Sequence, residues 1–469
     1  DKIKIPELKK VLQGIADHYK ESTESPAAVK KYLDELEQSL TRTLVHLDID
    51  PENEADWWIQ KIFAHIKNIK NDLSVFIPWL VYTDAPDKFK ELIPVLPGIP
   101  TFKQMARIEQ SLLHKINELY SPDNTEEEND WLTNYRSGIT EAGRRAKAIV
   151  LTIEQLVIRC AQLSNMDFEF LYDRSQHLLT IGYNAEEHRR DNSFYDLLAS
   201  EARLTTFVAV AQGKLPQQSW FALGRQLTNI GTTPILLSWS GSMFEYLMPV
   251  LVMPTYRNTL LEQTSKAVIQ KQIEYGRKRG IPWGISESGY NMVDAALNYQ
   301  YHPFGVPGLG FKRGLGEDLV VSPYSTIMAL MVAPKDAYDN LQVLKGEGFE
   351  GRYGFYEAID YTPARLSRKQ TYVVVKSFMA HHQGMSFLAI SHLVNSQPMQ
   401  QRFESDIEVK SALLLLQERI PRVTTFYSPS VHEADTSITP GANGFMRVMN
   451  TPFTVIPEVQ LLSNGRYHV

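Results

Sequence analysis

The sequence predicts an all-α chain of the helical-toroid type, in which helices alternate with long loops that build a site. Three observations carry this expectation. Apolar residues recur at three- and four-residue spacing through much of the 469 residues, the mark of amphipathic helices. From residue 193 to about 422 the candidate helices are separated by long glycine- and aromatic-rich stretches, and loops of that length in a compact domain commonly carry function. The 43% hydrophobic content is enough to fill large cores.

Residues 1–145 read as an N-terminal helical region. The opening Asp1-Lys2-Ile3-Lys4 is charged rather than an apolar leader. Ala28–Leu47 carries Val29, Tyr32, Leu33, Leu36, Leu40 and Leu44 on one stripe. Trp57–Leu80 follows the start signal Asp50-Pro51, with Trp57 and Trp58 read as packing. Phe102–Tyr120 is closed by Ser121-Pro122-Asp123-Asn124. The acidic run 125–130 predicts the first turn of the next helix, where negative charge suits the macrodipole. Arg144–Leu163 reads as a long helix holding the single cysteine, Cys160, as a small core residue. The period then changes. Phe168–Tyr183 alternates around Asp173-Arg174-Ser175-Gln176, which predicts a β-hairpin. Helices are expected over Tyr195–Gln212, Trp220–Leu227, Asn258–Arg279, Pro323–Val332, Pro334–Glu347, Arg368–Val394 and Pro398–Leu416. Residues 146–422 thus form the main domain. Residues 423–469, rich in Thr, Ser, Pro and Gly with β-type runs such as Phe453–Ile456, read as a tail leading toward a further domain.

Composition removes several classes of function. A net charge of −6 does not suit nucleic-acid binding. One cysteine excludes an internal disulfide framework and a Cys-based zinc site. The most apolar stretch, 233–254, carries Glu245, Pro234 and Pro249, so it reads as buried helix and loop and no membrane contact is expected. No HExxH, phosphate-binding P-loop, dinucleotide fingerprint or nucleophile elbow is present. Neighbouring residues on a helix point about 100° apart, so His381 and His382 do not suit one ion. No metal and no cofactor are expected, though one of these histidines could line a polar pocket.

What remains is a set of acids among aromatics. Glu201 lies in a largely apolar segment, Tyr195–Arg203, where a carboxylate needs a partner. Glu287 sits in the loop Ile281–Asn291 between Trp283 and Tyr290; desolvation there would raise its pKa toward that of a general acid. The loop 346–361 crowds five aromatics and four acids, including Tyr356, Glu357 and Asp360. Asp318 follows Lys312-Arg313-Gly314, and Glu245 interrupts the apolar run Met243–Leu247, paired or functional. Acids with aromatics and no metal or nucleotide motif point to carbohydrate chemistry, in which two carboxyl groups divide the work of breaking a glycosidic bond.

The segments YDLLASEARL, IPWGISESGYN, GLGEDLVVSPY, GRYGFYEAIDYTPAR and SFMAHHQGMS resemble the glucoamylase-like middle domain of bacterial cyclic β-1,2-glucan synthases. The resemblance covers about 145–422, and PEVQLLSNGRYHV resembles the start of the phosphorylase-like domain that follows in that family. It implies an (α/α)6 barrel with an added helical region and a short β-type tail. It also implies a cytoplasmic domain of an inner-membrane protein, adjoining glycosyltransferase and phosphorylase-like domains. The implied substrate is β-1,2-glucan, and the implied activity is a retaining transglycosylation that cuts a linear chain and closes it into a ring. In that reading Glu201 is the nucleophile, kept ionised by nearby arginines, and Glu287 is the acid/base. The subsites would be lined by Arg203, Trp239, Glu245, Trp283, Tyr290, Asp318, Tyr356, Glu357, Asp360, His381, His382 and Gln383. A hydrolytic endo-β-1,2-glucanase and a non-catalytic glucan-binding module are the alternatives.

Overall fold

The computed structural model describes residues 13–14, 25–45, 54–82, 85–92, 98–230 and 233–421. The chain divides into two compact units, Asp1–Met166 and Asp167–Val469. The charged opening Asp1–Lys4 and the β-type tail expected over 423–469 lie outside the described residues.

The first unit is helical, and its helices follow the apolar stripes. They span Pro26–Val45, Glu54–Phe76, Phe102–Glu118 and Glu126–Ser164. Leu33, Leu40, Ile59, Ile66, Leu112, Ile116, Leu132, Tyr135 and Ile139 close its core. The acidic run does begin a helix. The Thr125 hydroxyl caps the Glu128 N–H while the Glu128 carboxylate takes the Thr125 N–H (2.9 Å), a reciprocal capping box. That helix continues through Arg144 to Ser164. Its inner face ends at Ala146, and from 151 to 164 every residue is exposed. Cys160 is therefore exposed, not a core residue as expected. Apolar residues continue there (Leu151, Ile153, Leu156, Val157, Ile158), but the last buried position of the helix is Ala146, so Cys160 shares their exposure.

The second unit corrects the all-α expectation: it is helix-rich but carries small antiparallel sheets. Hairpins pair Tyr172–Asp173 with Leu178–Leu179, Leu227–Ile230 with Thr233–Leu236, and Ser288–Val293 with Tyr299–His302. A three-stranded sheet orders Val373–Val375, Ala358–Asp360 and Val320–Val321. Around these lie helices that include Arg203–Ala211, Met243–Leu247, Leu260–Arg279, Pro323–Ala329, Pro334–Gly346 and Ala380–Val394. The core holds Phe207, Trp220, Tyr246, Val268, Trp283, Ile285, Val321, Tyr324 and Ile359. Among the described residues no helix is long and apolar enough to cross a membrane.

Several expected helices are shorter, each for a backbone reason. The helix expected from Tyr195 starts only at Arg203, because Leu198 N–H donates to Gly224 O (3.0 Å) and Gly224 N–H to Asp196 O (2.5 Å). The helix expected over Trp220–Leu227 covers Gln218–Ala222, and Leu227 already begins a strand. The one expected from Arg368 begins at Ala380, since Val373–Val375 is committed to the sheet. Pro398–Leu416 breaks at Asp406, whose carboxylate caps the next helix at Glu408 and Val409 N–H.

Candidate active site

Two close backbone approaches set the loops of the second unit. A Cβ on Gly305 would lie 1.8 Å from Ser240 O, so only glycine lets the segment 305–310 lie against 238–241. Gly284 adopts φ +119, and a Cβ there would meet Thr326 Oγ1 at 2.6 Å. Its carbonyl takes Ser322 N–H (2.8 Å). These contacts fix the loop that ends in Glu287 against the Pro323–Ala329 helix.

Glu245 is the best-satisfied acid of the region. It is buried, and its carboxylate accepts from Ser238 Oγ (2.8 Å), Ser240 N–H (2.9 Å), Ser240 Oγ (2.7 Å) and Ser242 N–H (3.0 Å). Ser242 in turn caps the Met243–Leu247 helix. A carboxylate so surrounded holds its loop together. Arg203 is buried as well. Its guanidinium donates to the carbonyls of Ser200 (3.3 Å), Glu245 (3.2 Å) and Tyr246 (2.9 Å), and burial lowers its pKa to about 10.

Glu201 sits just before the Arg203–Ala211 helix, half-buried, and lines a cavity of about 530 Å³ with Ser193, Tyr195, Asp196, Trp239 and Glu245. Its carboxylate accepts from Ser200 Oγ (3.2 Å). Burial raises its pKa and the Glu245 charge adds to that, against the pull of its own backbone N–H, the Ser200 hydroxyl and, least of the three, Arg203. The arginines therefore do not hold Glu201 low as the sequence suggested. Arg203 spends its donors on carbonyls, and Arg189 and Arg190 lie on an exposed strand.

Glu287 sits where the loop meets the Ser288–Val293 strand. Tyr301, opposite Gly289 in the hairpin, donates its hydroxyl to Glu287 Oε1 (2.8 Å). Burial, then the charges of Glu201 and Glu245, push the Glu287 pKa up to about 7 against the pull of that hydrogen bond. The Tyr301 hydroxyl also lies 3.2 Å from His382 Nε2, and His382 Nδ1 lies 3.0 Å from Glu357 Oε2. Glu357 further accepts Gly289 N–H at 3.1 Å. Tyr324 stacks on the His382 ring at 3.6 Å and donates to the Glu287 carbonyl (2.9 Å).

The other expected site residues divide by surroundings. Trp239 is 62% exposed and borders the cavity. Trp283 is buried among core side chains, so it offers no face to a ligand. Its ring is large and apolar, and sequence alone does not separate a sugar platform from a core filler. Tyr290 is half-buried with the Arg365 guanidinium over its ring at 4.9 Å. Asp318 and Asp360 both pair with Arg365, at 2.5 and 2.7 Å. Asp360 is fully buried and also takes Asn291 N–H (3.0 Å), which makes the pair a brace for the Glu287 loop. Tyr356 is half-buried against Phe378 (5.4 Å). His381 is exposed, its ring 4.1 Å from that of His382, and Gln383 is half-buried on the same helix. Tyr301 and Arg365 were missed. Nothing local in the sequence singles out Tyr301, which comes to Glu287 only because the hairpin of Ser288–Val293 and Tyr299–His302 folds it back.

Residues 193–406 match a family model described as Glycoamylase, putative glucoamylase. The chain is 44% identical over 310 residues to the cyclic beta-(1,2)-glucan synthase NdvB of Rhizobium meliloti (strain 1021); the match takes in 65% of this chain. It covers only 11% of that protein's length. The likeness thus reaches beyond the short motifs, over 310 residues of this chain. Among solved structures, the chain is similar to an endo-beta-1,2-glucanase from Chitinophaga pinensis in complex with sophorotriose and glucose (15% identity, 68% of this chain, 72% of that one, TM-score 0.43). It is also similar to the endo-beta-1,2-glucanase from Talaromyces funiculosus with sophorose (15%, 86% and 81%, TM-score 0.39).

Proposed function

We propose that the chain is the ring-closing unit of a cyclic β-1,2-glucan synthase, a retaining transglycosylase on an (α/α)6 barrel. Glu201 attacks the anomeric carbon, and Glu287 gives its proton to the leaving glycosidic oxygen. The reducing-side piece departs. Glu287, now ionised, takes the proton of a hydroxyl at the non-reducing end of the same chain, and that oxygen displaces Glu201. One β-bond breaks and one forms, so two displacements retain configuration. Trp239, Tyr290, Tyr356, His381 and Gln383 would line the sugar subsites. In the parent protein, glycosyltransferase and phosphorylase-like domains would adjoin this unit on the cytoplasmic side of the inner membrane.

The observation that carries the reading is the contrast among three acids. Glu245 is saturated with donors, whereas Glu287 is bound at its carboxylate by Tyr301 and has a pKa of about 7. That value suits a group that must give and take a proton near neutrality. Glu201 lines the cavity with few donors, and its charge acts on Glu287. The substrate class is supported by the 44% identical glucan synthase.

The test is incubation with long linear β-1,2-glucan. Products that resist an exo-β-glucosidase, formed without a rise in reducing ends and lost in Glu201→Gln or Glu287→Gln, are the expected result. A rise in reducing ends without rings would make the chain a glucanase, and binding without turnover would make it a docking module.

A further inference from the structure

Glu287, Tyr301, His382 and Glu357 lie on one line of hydrogen bonds, 2.8, 3.2 and 3.0 Å long in that order. Counting protons along it gives a constraint. A tyrosine hydroxyl has one hydrogen to donate, yet Tyr301 faces two acceptors. Glu357 is buried and takes Gly289 N–H on one oxygen, so its other oxygen calls for a hydrogen on His382 Nδ1. That leaves the Nε2 lone pair facing Tyr301. Tyr324 holds the imidazole plane, stacked within 9°, and its own hydroxyl is spent on the Glu287 carbonyl. The other titratable groups acting here are Glu201 and Glu245, through their charges on Glu287, and His381, whose ring is 6.3 Å from that of Tyr301.

We propose that Tyr301 is a positioning residue for Glu287, its hydroxyl turning to the ionised carboxylate in one phase and to His382 Nε2 in the other. This rests on the reading of Glu287 as the acid/base. With Glu287 protonated, its O–H donates to the Tyr301 oxygen and the Tyr301 hydrogen goes to His382. Once Glu287 has given its proton to the leaving oxygen, the hydroxyl turns and donates to the new carboxylate. When Glu287 takes a proton from the attacking hydroxyl, the rotor turns back. No proton travels along the line: Tyr301 keeps its own hydrogen, and Glu357 keeps His382 in the one tautomer that can accept. Both states of Glu287 thus find a complementary partner, as a group that acts as acid and then base requires.

The test uses the whole chain and needs no substrate for its first readout. In ¹⁵N-histidine spectra, the His382 imidazole is expected as the Nδ1–H tautomer, with its bare Nε2 facing Tyr301. An imidazole with its hydrogen on Nε2 would overturn the proposal, since Tyr301 would then face a donor there and have no second acceptor to turn to. In Tyr301→Phe, the Glu287 titration, followed by ¹³C-carboxyl shifts, is expected to rise by about one pH unit, because the donor to the ionised form is gone. The pH–rate profile should move with it, with kcat down about tenfold and KM unchanged. An unmoved Glu287 titration in a folded Tyr301→Phe would sink the rotor. Absence of glucan products from the unmutated chain would instead sink the functional reading, and the titrations would still stand as measured.

Discussion

Glu287→Gln should stabilise the folded chain above neutrality while ending its chemistry. In the unfolded chain this carboxyl ionises near its ordinary value of 4.5, and in the fold it does so only at about 7. Each pH unit between the two values is worth roughly 1.36 kcal/mol, so the ionised group costs the fold about 3 kcal/mol once both states are deprotonated. The sign follows from the raised folded value. The favourable contribution is complete below pH 4.5, declines as pH rises through 7, and is gone above that. An uncharged glutamine of the same shape never ionises, so it escapes the loss. The variant and the unmutated chain should melt together at pH 4. By pH 8 the variant should melt about 6 °C higher in the transition of the unit that holds Glu287, at roughly 2 °C per kcal/mol for a unit this size. The assay is calorimetry at pH 4, 6 and 8, beside the ring-closure assay, in which activity should fall by about 10²-fold or more. A gap that stays constant with pH, or that favours the unmutated chain at pH 8, would refute the argument that burial and like charge hold Glu287 protonated.

Other perturbations test other parts of the site. Glu245→Gln should move the activity profile to lower pH, because the Glu245 charge raises both Glu201 and Glu287; the profile of the variant is the readout. The same change should lower stability by about 2–4 kcal/mol in urea unfolding, since an amide cannot accept all the serine donors. Trp239→Ala should raise KM for glucan about tenfold at unchanged melting temperature, as the ring is exposed and its contribution is to stacking. Arg365→Ala should destabilise by about 3–5 kcal/mol by leaving the buried Asp360 carboxylate unpaired, and Arg365→Lys should rescue little of it, which denaturant titration would show.

The parts of this structure that local sequence controls were legible. Stripe spacing located the helices of the first unit, and the acidic run 125–130 marked a helix start because charge in a first turn acts on the backbone beside it. The Asp173–Gln176 turn was readable for the same reason: Asp173 bonds its own neighbours, taking Ser175 and Gln176 N–H. What was not legible depends on partners far along the chain. Residues 195–202 look helical, but Gly224 takes their backbone bonds instead. Arg203 sits two residues from Glu201, yet its donors go to carbonyls 42 and 43 residues away. Asp318 and Asp360 look like ligand-binding acids until Arg365 is found between them. Tyr301 reaches Glu287 only because a hairpin folds it back, and no local pattern encodes that contact.

The buried Arg203 has a consequence for how this site fails. One guanidinium joins the turn before Glu201 to the last residues of the Met243–Leu247 helix, and that helix carries the serine-bound Glu245 on its first turn. The Glu201 segment therefore cannot loosen while the core around Tyr246 stays intact. Heat inactivation and loss of tertiary structure in this unit should coincide as one cooperative event, with no window in which a folded but idle protein accumulates.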